Sequence, residues 1–312
     1  MKIAMLGAGA MGSLFGGHLA MAGNDVTLID VNAEHIAAIN AHGLTIETPA
    51  GTLTARLKAG TAADFTDQQD VLIVFTKGAH TEQALVPALH LVGDRTWVLT
   101  AQNGLGNADI IARHVPFERI AIGTTSYAAV LKAAGQLVLQ NGGDLRIWPA
   151  NGERADAIER LAEAFVAAGV DCKADPGVES AIWEKIAFNA AINSLTAITR
   201  YTVGELGDFE GGRTLAETVA KEVNDVAHAR GVAFDLSRVH GLLKLAFTHH
   251  RAHQPSMLRD IIAGRKTEIE NINGAIMAEA RRAGLEAPVT ETLLQLVRLI
   301  ESRPNLHSGE QS

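Results

Sequence analysis

Short apolar runs alternate with amphipathic segments over the first 174 residues of the chain. Such runs are typical of parallel strands that helices cover on both faces. We predict strands at Lys2–Leu6, Asp25–Asp30, Val71–Phe75, Trp97–Thr100, Ile120–Thr125, Leu137–Gln140, Leu145–Trp148 and Val170–Lys173, and a β-hairpin over residues 44–57. Helices are predicted at Leu14–Met21, Ala33–Ala41 and Arg154–Ala168. This part of the chain is therefore expected to be an α/β domain.

The pattern changes after about Asp175, where strand-like runs stop and helical periodicity continues. We predict helices over residues 178–200, 209–230, 236–253, 256–282 and 288–302, and disorder in about the last eight residues. The predicted organisation is an α/β domain at residues 1–174, followed by an all-α domain at residues 175–312.

Composition and net charge exclude several classes of protein and of binding partner. The chain has 312 residues, of which 47% are hydrophobic and 20% are charged, and a formal net charge of −8. This balance argues against nucleic acid or an anionic membrane as partner, because both attract basic surfaces. No stretch approaches ~20 uninterrupted apolar residues, so no membrane span is predicted. The sequence has one cysteine, Cys172, which excludes a disulfide framework; we expect a cytoplasmic protein with a structural thiol.

A glycine motif, Gly7-Ala8-Gly9-Ala10-Met11-Gly12, joins the first predicted strand to the first helix. Gly7 suits the tight turn, Gly9 lets the backbone approach a pyrophosphate, and Gly12 lets the helix pack on the strand. The N-terminus of the helix faces the phosphates with unpaired N–H groups, and we include Ala10 and Met11 of the motif among the predicted cofactor-binding residues. The motif and its strand–turn–helix context predict a Rossmann-type dinucleotide-binding domain.

Asp30 closes the second predicted strand. A carboxylate there can accept hydrogen bonds from ribose hydroxyls, and it would repel the 2′-phosphate of NADP. No Arg or Lys lies within Val31–His35 to offset that repulsion, so this position favours NADH. The alternative role for Asp30 is that of a helix N-cap, although Asn32 can also fill that role.

Two more polar positions follow strands of the same sheet, where ligands bind in open parallel sheets. Lys77 follows Val71–Phe75, and Asn103-Gly104 follows Trp97–Thr100. We predict that both reach the cofactor or the substrate. The alternatives are a solvated loop lysine and an ordinary turn dipeptide.

A polar stripe marks the helix predicted at residues 178–200. Lys185, Asn189 and Asn193 recur at i, i+4 and i+8, with Thr196 one step round, among mostly apolar neighbours. An unsatisfied buried polar group costs ~1–3 kcal/mol, so the stripe must meet a polar partner. That partner is either a neighbouring helix or a small polar substrate.

The helix predicted at residues 256–282 carries further candidates. Gly264 lies one turn before Glu268, which leaves room for a ligand or a close helix crossing. A glycine inside a helix costs up to ~1 kcal/mol relative to alanine, so it indicates a packing or functional reason. Ser256 could bind a ligand or could cap the N-terminus of this helix. Glu268 could belong to the active site or could be an ordinary exposed glutamate.

These motifs, taken in order, resemble the ketopantoate reductase (2-dehydropantoate 2-reductase) family over essentially the whole chain. They are Gly7-x-Gly9-x-x-Gly12, Lys77, Gln102-Asn103-Gly104, Trp183-x-Lys185-x-x-x-Asn189-x-x-x-Asn193, Pro255-Ser256-Met257-Leu258-x-Asp260, Gly264-Arg265-x-Thr267-Glu268-Ile269 and Ile272-Asn273-Gly274. The resemblance implies a Rossmann domain followed by an all-α domain with the C-terminal architecture of 6-phosphogluconate dehydrogenase. It also implies that Lys185 is the general acid and Glu268 its acidic partner. The residues it assigns to substrate or cofactor binding are Asn103, Asn189, Asn193, Ser256 and Lys77.

The reaction implied by the resemblance is NAD(P)H-dependent reduction of a 2-oxo acid, with ketopantoate converted to (R)-pantoate in pantothenate and coenzyme A biosynthesis. A nearby ammonium would stabilise the charge that grows on the carbonyl oxygen and supply the proton. NADPH is the family norm, whereas Asp30 favours NADH. A homodimer is a further expectation from the resemblance.

Alternative functions remain open. NAD-dependent D-2-hydroxyacid dehydrogenases of the same family act on branched or aromatic 2-oxo acids, and Val203 stands where relatives can carry a substrate-contacting asparagine. A non-catalytic dinucleotide sensor would lack Lys185 or Glu268, and a β-hydroxyacid dehydrogenase of the 6-phosphogluconate type would lack the segment of Ser256 and Glu268. No metal site is predicted, because His249 and His253 have no neighbouring glutamate or third ligand in a metal-binding pattern.

Overall fold

The computed structural model describes residues 1–303, which form two compact units. The first unit contains residues 1–102 and 107–178, and the second contains residues 103–106 and the chain from Glu179 onward. Residues 304–312, where the C-terminal disorder is predicted, lie outside the described residues.

The first unit is built on an eight-stranded sheet and a smaller four-stranded sheet. Its strands are β1 Lys2–Leu6, β2 Asp25–Ile29, β3 Leu44–Thr48, β4 Gly51–Ala55, β5 Lys58–Gly60, β6 Val71–Val74, β7 Trp97–Thr100, β8 Ile120–Thr125, β9 Ala128–Ala133, β10 Gln136–Asn141, β11 Leu145–Pro149 and β12 Cys172–Ala174. Its helices are α1 Ala10–Met21, α2 Ala33–His42, α3 Thr81–Ala88, α4 Asn107–Ile111 and α5 Asp156–Ala167. The large sheet has the order β12-β11-β8-β7-β6-β1-β2-β5, and the small sheet has the order β4-β3-β10-β9.

The central strands of the large sheet are parallel and buried, as their apolar runs predict. Each of the four residues of β6 is at most 1% exposed. The register pairs Leu6 with both Ile29 and Val74, and Val74 with Thr100, so four strands end at the same level. The strand order reverses direction between β1 and β6, which is the switch point where such sheets bind ligands.

The second unit is helical. Its helices are α6 Val178–Thr199, α7 Val203–Asp208, α8 Glu210–Ala229, α9 Leu236–His249, α10 Ser256–Ile262, α11 Ala275–Ala283 and α12 Pro288–Glu301, and a π-helical turn spans Glu270–Gly274. The apolar faces of these helices share one buried core, which includes Ile192, Val223 and Ile276. The α/β domain followed by a helical domain confirms the predicted fold class. Within residues 1–303 no helix is both long and apolar enough to cross a membrane.

The prediction of one helix over residues 256–282 is wrong. Helix α10 ends at Ile262, and Gly264 has a left-handed φ of +64° just beyond it. The Gly264 N–H donates to the carbonyl of Ile261, and the Arg265 N–H donates to the carbonyl of Asp260. These bonds form a Schellman motif, so Gly264 ends a helix, and its predicted place inside one is corrected.

Other helix boundaries also differ from the prediction. The helix predicted at residues 236–253 ends at His249. The short helix α7 is absent from the prediction, and α8 follows it directly at Glu210.

Candidate active site

The carboxyl ends of three neighbouring strands carry the predicted dinucleotide-binding residues. Gly7 follows β1, Asp30 follows β2 and Lys77 lies three residues beyond β6. Lys77 is exposed, and its carbonyl accepts a hydrogen bond from the His80 N–H at 2.8 Å. The structure thus brings the three predicted positions to one edge of the sheet.

The glycine motif forms the turn that its spacing predicts. Gly7 has a φ of +97°, and a Cβ added there would lie 2.6 Å from the backbone nitrogen of Thr76. A Cβ on Gly12 would collide with the carbonyl oxygen of Gly7, whereas a Cβ on Gly9 would meet nothing within 4 Å. Only glycine fits at the two packed positions, and Gly9 faces open space. Ala10 and Met11 begin α1, so unpaired N–H groups of its first turn are available to phosphate oxygens.

Asp30 holds the backbone around this turn. Its carboxylate accepts hydrogen bonds from the N–H groups of Ala8 at 2.7 Å, Val31 at 2.8 Å and Asn32 at 2.9 Å. Asn32 is the N-cap of α2, since its side chain accepts from the His35 N–H. The helix-cap role therefore belongs to Asn32, and the Asp30 carboxylate lies against the glycine turn.

Gln102 is a positioning residue that the sequence analysis gave no role. Its Nε2 donates to the carbonyl of Thr76 at 2.6 Å and to Oγ1 of Thr81 at 3.0 Å, and its Oε1 accepts from Oγ1 of Thr100. These bonds fix the segment against which Gly7 packs. The signal in the sequence was a long amide side chain two residues after the buried strand β7.

The polar stripe of α6 lies on one face of the helix, as its spacing predicts. Lys185 and Asn189 are half-buried, and Asn193 is 5% exposed. Trp183 and Ile186, at 4% and 2% exposure, belong to the core beside them. Thr196 is not part of the stripe, because its hydroxyl donates to the carbonyl of Ile192 in its own helix. Lys185, Asn189 and Asn193 are therefore the candidate ligand-facing groups.

The structure brings Glu268 together with Asn103, which lies 165 residues earlier in the chain. The Asn103 Nδ2 donates to Oε2 of Glu268 at 3.3 Å. The Leu105 N–H donates to the carbonyl of Asn271 at 2.9 Å. Gly104 has a φ of +93°, and a Cβ there would lie 2.7 Å from the Cβ of Asn271. The loop of residues 103–106 is thus pinned to the π-helical turn that follows Glu268.

Asn273 connects this turn to α6. It is fully buried, and its Nδ2 donates to the carbonyl of Ala190, which lies between Asn189 and Asn193 in the sequence. Its Oδ1 has no hydrogen-bond partner among the described residues. The Glu268 segment and the polar stripe are therefore held in one packed arrangement.

Ser256 is the first residue of α10 and is half-buried. The N-cap of this helix is Pro255, and no side chain caps it. The N-cap interpretation of Ser256 is therefore wrong, and its role in substrate binding stays a prediction.

The histidines at the end of α9 and the single cysteine were the remaining candidates for chemistry in the sequence. Helix α9 ends at His249, so His253 lies outside it and the helical i, i+4 spacing is lost. Within residues 1–303 no group of three or more His, Cys, Asp or Glu side chains is arranged to hold a metal ion. Cys172 is buried, and burial raises the pKa of its thiol to about 12.

Two family models match the chain. The model described as ketopantoate reductase PanE/ApbA matches residues 3–152, and the one described as ketopantoate reductase PanE/ApbA C terminal matches residues 177–301. Both halves of the chain therefore match the same family.

Curated relatives and solved structures agree with these matches. The 2-dehydropantoate 2-reductase of Pyrococcus horikoshii is 38% identical over 302 residues, covering 97% of this chain and 98% of the relative. The 2-dehydropantoate 2-reductase of Halobacterium salinarum is 32% identical over 302 residues, covering 96% of this chain and 99% of the relative. The solved structure of a D-mandelate dehydrogenase with NADH and anilino(oxo)acetate has a TM-score of 0.91 at 34% identity, covering 96% and 98%. The chain therefore belongs to the ketopantoate reductase family and is an NAD(P)-dependent oxidoreductase.

Proposed function

We propose that this protein reduces a 2-oxo acid to a 2-hydroxy acid with NAD(P)H, and that Lys185 is the general acid. The observation that carries this proposal is the stripe of Lys185, Asn189 and Asn193 on α6, in the same unit as the Asn103–Glu268 contact. An ammonium can donate the proton that reduction of the C2 ketone of a 2-oxo acid consumes, and two amides and a carboxylate can bind the polar groups of such a substrate.

The roles of the side chains follow from their chemistry. When bound, the reduced nicotinamide supplies the hydride that adds to C2 of the oxo acid. Lys185 stabilises the negative charge that develops on the C2 oxygen and transfers a proton to it. Glu268, oriented by Asn103, accepts a hydrogen bond from the resulting hydroxyl. The amides of Asn189 and Asn193 and the hydroxyl of Ser256 bind the polar groups of the substrate without adding charge.

The cofactor site proposed in the first unit comprises Gly7, Gly9, Ala10, Met11, Gly12, Asp30 and Lys77, and Asn103 is proposed to reach the nicotinamide. Gly9 faces open space beside the first turn of α1, which fits the approach of a pyrophosphate. We propose NADH as the preferred cofactor. Asp30 is half-buried, and Val31 beside it is 93% exposed with no basic side chain over residues 31–35. A 2′-phosphate near this carboxylate would have no counter-charge from that segment.

Ketopantoate is the first candidate substrate, and the names of the relatives from P. horikoshii and H. salinarum support it. The second candidate function is that of an NAD-dependent D-2-hydroxyacid dehydrogenase. The observation that favours it is the similarity to a D-mandelate dehydrogenase solved with NADH. Val203 is 1% exposed and packs in the helical core, so it offers no polar contact to a substrate.

We further propose that residues 1–174 form the dinucleotide-binding domain and residues 175–312 the substrate domain. The resemblance to the family supports a cytoplasmic homodimer. Light scattering coupled to size-exclusion chromatography tests the oligomeric state, and a monomer mass near 33 kDa at all concentrations would contradict the dimer.

The test of the function is kcat/KM for ketopantoate, 2-oxoisovalerate and phenylpyruvate, each with NADH and with NADPH. A preference for ketopantoate supports the reductase. A preference for 2-oxoisovalerate or phenylpyruvate with NADH assigns the protein to the D-2-hydroxyacid dehydrogenases. Cofactor binding without turnover of any 2-oxo acid would contradict both and favour a sensor.

A further inference from the structure

A chain of hydrogen bonds runs from the small sheet to the glycine turn of the first unit. The N–H of Gly135, in the turn between β9 and β10, donates to Nδ1 of His35 at 3.0 Å. Nε2 of His35 lies 3.3 Å from Oγ of Ser13, and that Oγ donates to the carbonyl of Ala8 at 2.8 Å. His35 is 2% exposed and Ser13 is fully buried, so solvent does not compete for these bonds.

The backbone groups at the two ends of this series of hydrogen bonds determine which atom donates in each bond. A backbone N–H can only donate, so Nδ1 of His35 must accept and carries no proton. The neutral ring then bears its proton on Nε2, which donates to Ser13. Ser13 in turn donates its only proton to the carbonyl of Ala8. One tautomer of His35 therefore satisfies the whole chain.

Ala8 is the residue between the first two glycines of the motif, and both of its backbone groups are held. Its carbonyl accepts from Ser13, and its N–H donates to Oδ2 of Asp30 at 2.7 Å. The peptide planes on either side of Ala8 set the direction of the N–H groups that follow at the start of α1. These two bonds add to those from the Gly7 N–H to Ile29 and from the Ser13 N–H to Gly9, and they restrict the turn at the one residue between two flexible glycines.

We propose that His35 and Ser13 are positioning residues for the dinucleotide, and that they pre-orient the glycine turn by coupling it to the turn between β9 and β10. The proposal rests on the assignment of the glycine motif as the cofactor site. It gives the small sheet a role in cofactor affinity, because Gly135 lies in that sheet's connecting turn. Gly135 also accepts from the N–H of Thr45 at 2.9 Å, which fixes the turn on β3.

Protonation of His35 would disrupt this chain. A second ring proton, on Nδ1, would face the Gly135 N–H, and two donors would oppose each other. Burial lowers the pKa of His35, while Asp30 and the carbonyl of Ala8 oppose that shift. Asp30 is the charged group that acts on the ring; α1 presents the neutral Ser13 to it, and the β9–β10 turn presents the Gly135 N–H. The ring is therefore neutral at pH 7 and becomes charged only at acidic pH.

The experiment measures the dissociation constant of NADH by calorimetry, with the melting temperature of the cofactor-free protein as a second readout. The variants are Ser13→Ala, His35→Asn and the double variant. His18→Asn is the matched control, since His18 also lies in the first unit and hydrogen-bonds one backbone carbonyl, that of Ala168. We expect each single variant to raise the Kd for NADH at least about tenfold. The Kd of the double variant should not exceed the larger of the two single-variant values, because both substitutions break the same series of bonds. The control should stay within about twofold.

The pH profile separates positioning from general destabilisation. In the wild type the Kd should rise as the pH falls through the pKa of His35, which burial places below the ordinary histidine range, and in Ser13→Ala this rise should be lost. An unchanged Kd in folded Ser13→Ala, or additive effects in the double variant, would overturn the inference. Gly12→Ala distinguishes this failure from that of the proposed cofactor site: if it also leaves the Kd unchanged, the glycine motif is not the cofactor site.

Discussion

The contact between the loop of residues 103–106 and the π-helical turn is tested by Gly104→Ala. A Cβ at Gly104 would lie 2.7 Å from the Cβ of Asn271, short of ordinary contact by about 0.7 Å, and closer still to the Asn271 carbonyl oxygen. The loop must move away by about this distance. The move weakens the Leu105–Asn271 hydrogen bond, at about 0.5–1.5 kcal/mol, and separates Asn103 from Glu268. Misplacement of about 1 Å at a catalytic group can lower the rate ~10²-fold.

Gly106→Ala is the matched control for this variant. Gly106 lies in the same loop with a φ of +84°, but a Cβ there would meet nothing within 4 Å. Both variants carry the backbone strain of an alanine at positive φ, about 1–2 kcal/mol, and only Gly104→Ala adds the collision. We expect kcat for 2-oxo acid reduction, followed by oxidation of the reduced cofactor, to fall about 30- to 100-fold more in Gly104→Ala than in Gly106→Ala. Equal kcat values in the two variants would refute the account of how Glu268 is positioned.

Three further predictions concern other parts of the molecule. In Asp30→Asn, removal of the charge should lower the ratio of kcat/KM for NADH over NADPH about tenfold or more, and an unchanged ratio would show that Asp30 does not select the cofactor. The Glu184 carboxylate is 5% exposed and accepts hydrogen bonds from Nη1 of Arg238 at 3.1 and 3.3 Å. Arg238→Ala removes this cation, so the free energy of unfolding from urea titration should fall by about 2–3 kcal/mol. Adding Glu184→Gln to this variant should restore part of that loss. The pKa of Cys172 is about 12, so only ~10⁻⁴ of the thiol is ionised at pH 8. A thiol reagent should therefore label Cys172 only after the protein unfolds. Rapid labelling of the native protein would contradict the burial of this thiol.

The sequence predicted the elements whose apolar pattern is simple. The strands β1, β2, β6 and β7 are mostly apolar and buried, and their parallel pairing follows from the alternation with helices. Strand β5, Lys58–Gly60, escaped prediction because three residues with a lysine and a glycine carry no strand pattern. Strand β9 escaped because it is partly exposed and three of its six residues are alanines, which have low strand propensity.

Helix α7 shows how packing overrides local propensity. It has six residues, and two of them are glycines, which disfavour helix in isolation. A Cβ at Gly204 would lie 2.6 Å from the Cβ of Arg251, and one at Gly207 would lie 2.7 Å from the Phe247 ring. The glycines therefore allow a close approach to the segment that contains α9, and only the folded structure shows this benefit.

The parts of the candidate site that lie within one helix were predictable from the sequence, whereas contacts between distant segments were not. Spacing alone aligns Lys185, Asn189 and Asn193 on α6. No local pattern could show that Asn103 meets Glu268, because their contact depends on the fold of two distant segments. Likewise His35 looks like an ordinary helix residue until Gly135, 100 residues away, is seen to bond to it.

The most direct test of the proposed chemistry is kcat/KM of Lys185→Ala against Lys244→Ala, with the preferred 2-oxo acid and cofactor. Lys244 is an exposed lysine on α9, so its variant controls for the loss of one positive charge. If Lys185 is the general acid, its variant loses ~10²-fold or more in kcat/KM and keeps the wild-type Kd for the cofactor, while Lys244→Ala retains full activity. Full activity in Lys185→Ala would contradict the central claim.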